Sequence, residues 1–119
     1  MIIYKDKALT ESALTKEGHF EFDFGTVKAG SQSVKEYFIH NPKDCDVINI
    51  TMTFKPVVEI KEGIERNYTQ CIQEIEVKHL PKSLKPGETK MFEITYTPQS
   101  HYFRALKLGI EIDASEIPL

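Results

Sequence analysis

The side chains of this 119-residue sequence with most chemistry to offer are four histidines, two cysteines and eighteen carboxylates. A metal centre needs ligands converging on one point, usually announced by short spacings such as HxH, HxxxH or CxxC. His19, His40, His79 and His101 each stand more than four residues from one another and from Cys45 and Cys71. They therefore read as surface or strand-edge residues, and no metal or cofactor is expected. A nucleophile lacks its setting too. No GxSxG elbow occurs, and Asp46 beside Cys45 disfavours a thiolate there. Glu59, Glu62, Glu65, Glu74 and Glu76 alternate with apolar residues or cluster in a connection, which is the pattern of a solvated face rather than of an acid–base pair. No glycine loop followed by Lys-Ser/Thr is present to cradle a phosphate. Asn49-Ile50-Thr51 and Asn67-Tyr68-Thr69 match the glycosylation triplet by chance, and the first falls inside an expected strand. The expectation is a protein that is not an enzyme.

The elements that carry these residues have a period of two, and so are strands, because successive side chains leave a strand on opposite faces. Phe20, Phe22 and Phe24 alternate with Glu21 and Asp23. Ile48, Ile50, Met52 and Phe54 alternate with Val47, Asn49, Thr51 and Thr53. Phe92, Ile94 and Tyr96 follow the same rule, as do Leu106, Leu108, Ile110 and Ile112. Val34 to His40 and Ile72 to His79 carry apolar residues in both phases or alternate only briefly, which suits strands covered on both faces or lying near an edge. Lys28-Ala29-Gly30-Ser31, Asn41-Pro42-Lys43-Asp44 and Lys85-Pro86-Gly87-Glu88 supply the turns between them. Only Ser12 to Glu17 and part of Glu62 to Gln70 could form a turn or two of helix. The expected architecture is all-β, an antiparallel immunoglobulin-like sandwich of about seven strands.

Composition narrows the work this sandwich does. One domain is the ceiling for this length, since a chain this short builds a single core. A net charge of −3, from 15 Lys+Arg and 18 Asp+Glu, with an isoelectric point near 5.8, argues against a nucleic-acid partner, which calls for clustered bases. A mean hydropathy of −0.34 and the lack of any apolar run near ~18 residues argue against membrane insertion. Met1 to Lys7 turns charged too soon for a secretory leader. The expected location is the cytoplasm or a particle assembled there, and two free thiols suit that reducing setting better than a Cys45–Cys71 disulfide.

Phe22-Asp23-Phe24-Gly25-Thr26-Val27-Lys28-Ala29-Gly30-Ser31, followed by Tyr37-Phe38-Ile39-His40-Asn41-Pro42, resembles the opening of ASH-type domains, the immunoglobulin-like modules of the abnormal-spindle, Spd-2 and hydin group. Leu84-Lys85-Pro86-Gly87-Glu88 with Phe92-Glu93-Ile94-Thr95-Tyr96-Thr97-Pro98 resembles their second half, and the related major-sperm-protein superfamily shares the arrangement. The likeness spans about residues 18 to 112. It implies the sandwich and, through scaffold residues alone, very little about function. The charged connection of residues 55–71 departs from the pattern.

What remains for function is surface. The sequence divides into an N-terminal arm, 1–16, a sandwich, 17–112, and a C-terminal tail, 113–119, that follows the last strand and contains a proline. Ile2, Ile3 and Tyr4 in the arm, Ile117 and Leu119 in the tail, and Tyr68 in the connection are the candidate partner-binding residues. The two ends either dock on a neighbour or fold back over the sandwich edges. The expectation is a structural interaction module docking on a larger protein assembly. By analogy with other virion sandwiches, its sharpest form is a virion component, a head decoration or tail protein contacting capsid or tail proteins. The alternative is a cytoplasmic or cytoskeletal adaptor that binds short acidic peptides as major-sperm-type domains do, with Lys55 in Thr53-Phe54-Lys55-Pro56 at its partial match to their peptide-binding segment. A homo-oligomer, through an edge strand or an exchanged arm, stays open.

Overall fold

The alternating segments become two four-stranded antiparallel sheets in a computed structural model that describes residues 1–25, 27–100 and 105–117. The strands are β1 (Ile2–Tyr4), β2 (Phe20–Asp23), β3 (Ser33–His40), β4 (Asp46–Lys55), β5 (Val58–Lys61), β6 (Ile64–Asn67), β7 (Ile75–Lys78), β8 (Ser83–Leu84), β9 (Thr89–Tyr96) and β10 (Ala105–Ile117). One short helix, α1 (Thr69–Gln73), precedes β7. The first sheet has the order β1-β3-β9-β7 and the second β2-β10-β4-β8, while β5 and β6 form a separate ribbon. The all-β sandwich expected from the sequence is the observed fold, with ten strands among the described residues against the seven or so anticipated.

Aromatic side chains join the layers. Phe20 of β2 meets Tyr37 of β3 edge-on at 4.9 Å between ring centroids, and Phe24 lies 5.2 Å from Tyr96 of β9. These rings, with Phe92, Ile94, Leu106 and Leu108, are buried together in one cluster. The turn residues behave as their chemistry requires. Gly87 has φ 72° in the Pro86-Gly87 turn, which Glu88 closes by donating its N–H to the Lys85 carbonyl at 3.0 Å. The Asn41 side-chain oxygen accepts from the Lys43 N–H two residues on, and its amide reaches the carbonyls of Cys45 and Leu84.

Four readings of the sequence are decided or corrected. Of the two courses open to the N-terminal segment, it folds back on the sandwich edge: Ile3 pairs with Ile39 of β3 and is fully buried, so it has no surface for a partner. Asp6 turns the chain back behind it, accepting hydrogen bonds from the Thr10 and Glu11 N–H groups. The segment from Asp113 is not a tail, because β10 continues to Ile117 against β4; Leu119 lies outside the described residues. The connection of residues 55–71 is a hairpin, with Glu62 and Gly63 both at positive φ (54° and 77°) in a tight turn of the type that matches strand twist. Tyr68, just past that hairpin, belongs to the core at 2% exposure.

The fourth correction concerns β4. Ile48 was expected to share the inner face with Ile50, yet Val47 is the buried residue. Thr51 pairs with Asp113 and Ile48 with Ser115, so Asn49 and Ile50 together stand opposite Ala114. This is a β-bulge, with Asn49 at φ 55° supplying the left-handed residue. It shifts the alternation by one step, so that Val47 on one side and Ile50 on the other both face inward.

Candidate functional site

The outer face of the first sheet carries a row of apolar side chains outside the core. Strand register places its side chains in rows across the sheet. Ile2, His40 and Thr89 form one row and Tyr4, Phe38 and Met91 the next; beyond them come Glu36, Glu93 and Lys78, then Val34, Thr95 and Glu76. The intervening residues Ile3, Tyr37, Ile39, Phe92, Ile94 and Tyr96 point into the core and are buried. Alternation therefore fixes the outward direction of the rows.

One of these rows, Tyr4-Phe38-Met91, is apolar throughout, and Ile2 and Val34 are the apolar members of two others. Met91 is 40% and Val34 48% exposed, while Ile2, Tyr4 and Phe38 are half-buried. A depression of about 480 Å³ opens here between Lys7, Glu36, Phe38, Thr89 and Met91. His40 fixes one border: its Nδ1 lies 2.8 Å from the Thr89 hydroxyl, and its ring meets Tyr4 edge-on at 6.4 Å. The other border is acidic, with Glu36 directly opposite Glu93. Like charges in that relation destabilise a sheet unless a cation lies nearby, and Lys78 opposite Glu93 supplies one from β7. Beyond the acidic row Thr95 is buried although it points outward, and its hydroxyl has no hydrogen-bond partner among the described residues.

The sequence-derived candidates are thus dispersed. Ile2 and Tyr4 reach this outer face. Ile117 is 44% exposed at the far end of β10. Lys55 lies on the second sheet, with its ammonium 2.5 Å from the Glu111 carboxylate. That pairing raises the Lys55 pKa and lowers that of Glu111, so an acidic peptide docking at Lys55 has to compete with Glu111. Phe38, Met91 and Val34 escaped the sequence reading. Their signal was present: Val34 to His40 holds apolar residues in both phases, and only the phase of Tyr37 and Ile39 is covered.

The β5–β6 ribbon exposes Val58, Ile60 and Ile64 as well. Register splits them, since Val58 and Ile60 share one face whereas Ile64 pairs with Lys61 on the other. They do not form one patch. On the Ile64 side, Glu59 approaches Lys107 of β10 to 3.6 Å and ties the ribbon to the second sheet.

The groups capable of bond chemistry are held apart. Both cysteines are free, Cys71 buried and Cys45 partly exposed. Burial, with Glu74 nearby, pushes the Cys71 thiol up to about 11, so it stays protonated near neutrality. Among the described residues no three His, Cys, Asp or Glu side chains are placed to share a metal ion. Likewise, no helix among them is long and apolar enough to cross a membrane. Comparison of the chain with protein-family models, with curated proteins and with solved structures gave no match.

Proposed function

We propose that this chain is a non-catalytic interaction module that docks a folded protein partner on the outer face of its first sheet. The observation that carries the reading is the outward-facing row Tyr4-Phe38-Met91, centred on β3, whose sequence is apolar in both phases. A strand of that composition is suited to cover on both sides; the second sheet covers one, and a partner covers the other. Glu36 and Glu93 beside the row select a partner whose apolar contact is flanked by lysine or arginine, since a cation there relieves the like-charge pair.

An ASH-type module is the family reading we favour, supported by the positive φ of Gly25, Gly30 and Gly87 and by the Asn41 turn at the motif positions. Ile2–Tyr4 near one end and the residues up to Ile117 near the other, read from the sequence as docking candidates, are strands of the fold. The virion form of the proposal therefore rests on the analogy with virion sandwiches, and the docking face is stated for a protein assembly in general.

Affinity purification from the source cell with the intact chain and with a Phe38→Lys/Met91→Lys double variant tests the reading. A single stoichiometric protein is expected with the intact chain, cross-linked at Lys7 or Lys78, and lost with the variant while the fold is kept. A partner retained equally by both, or cross-linked elsewhere, overturns it.

A further inference from the structure

We infer that the second sheet offers a separate binding site, the free edge of β10 from about Glu111 to Ile117, and that it accepts an extended basic segment as an added strand. β10 is thirteen residues long, but its neighbours divide it. β2 pairs with Ala105 to Leu108 on one side, and β4 with Gly109 to Ile117 on the other. Past Leu108, therefore, no described strand pairs with the β2-side edge of β10. The residues Asp113 to Ile117 are all exposed. Alternate residues of this stretch direct their N–H and C=O groups away from β4, which is the template that strand addition uses.

The side chains choose the occupant. Residues 109–117 include Glu111, Asp113 and Glu116 and no base. Lys55 meets Glu111 and attracts Asp113, and Lys43 meets Glu116, so among the described residues three carboxylates of this stretch share two cations. A second copy is a poor occupant: no register of residues 109–117 against themselves sets opposite charges across from one another, and a register centred on Asp113 sets two carboxylates together. A strand from another protein with lysine or arginine at alternate positions meets Glu111 and Asp113 on one face of the sheet and leaves its remaining side chains beside Ile112 and Ala114 on the other.

The test uses the full chain and a capped octapeptide of alternating lysine and threonine. Binding is expected, with slowed amide exchange confined to Glu111 to Ile117 and an affinity that weakens about tenfold from low to high salt. The same peptide N-methylated at alternate residues, which cannot complete a ladder, is expected not to bind, and Asp113→Lys is expected to weaken the unmodified peptide. Equal binding of the N-methylated peptide, protection on β1 or β7 instead, or no binding at low salt overturns the inference. The outer face of the first sheet takes no part in this measurement, so the two sites stand or fall separately.

Discussion

Ile3 faces Ile39 across the β1–β3 pair, and neither retains any accessible surface. The contact makes the N-terminal segment part of the core. Deleting residues 1–16 is expected to lower the melting transition sharply. Ile3→Ala is expected to cost about 2–5 kcal/mol through lost burial and the cavity left behind. Chemical denaturation of both variants checks this, and a truncation that melts like the full chain would show that β1 is dispensable.

Asn49 adopts the left-handed backbone that the β4 bulge requires. Asn49→Gly is expected to be nearly neutral, because glycine enters that region freely. A β-branched residue does not, and Asn49→Val is expected to cost about 1–2 kcal/mol. Equal stabilities for the two variants would mean that the strand pairs without the bulge.

Stability is expected to decline in alkali. The folded Cys71 thiol keeps its proton up to about 11, against an ordinary value of 9.0 for the exposed group. Between those values the unfolded chain has lost the proton that the folded chain holds, so rising pH favours unfolding, by up to about 2 kcal/mol. Tyr37, pushed up by its own burial, acts in the same direction above the ordinary phenol value of 10.0. Urea midpoints at pH 8 and pH 11 should separate in the wild type and draw closer in Cys71→Ala. At neutral pH a thiol reagent should label Cys45 well before Cys71.

The Thr95 hydroxyl is enclosed without a hydrogen-bond partner among the described residues. Its replacement in Thr95→Val removes an unsatisfied polar group and is expected to leave stability unchanged or raise it by about 1 kcal/mol. A loss of more than that in thermal unfolding would reveal a hydrogen bond through water.

The fold class was legible because Phe20, Phe22 and Phe24, Phe92, Ile94 and Tyr96, and Leu106 and Leu108 bury alternate residues without interruption. Elements shorter than one full alternation were not. β1 has three residues, too few to establish a period, and Ile3 is placed by a strand some 36 positions away. The bulge left only an asparagine as its local sign. Of the outer face, Ile2 and Tyr4 were found for their apolarity. Phe38 and Met91 were missed because sequence shows that a strand is apolar on both sides but not which side the rest of the molecule covers.

The order of the second sheet, β2-β10-β4-β8, bears on how the chain acquires its structure. The strands of the first sheet are all present once Tyr96 has been synthesised. β2 and β4 must wait, since the strand that lies between them begins at Ala105. Until then the growing chain holds one assembled layer whose inner phenylalanines and tyrosines have no opposing layer. Pairing Phe20 with Leu108 closes a loop of nearly ninety residues. Such distant pairings slow folding and prolong the exposure of apolar surface, so the step most open to aggregation, or to chaperone capture, is the late insertion of β10.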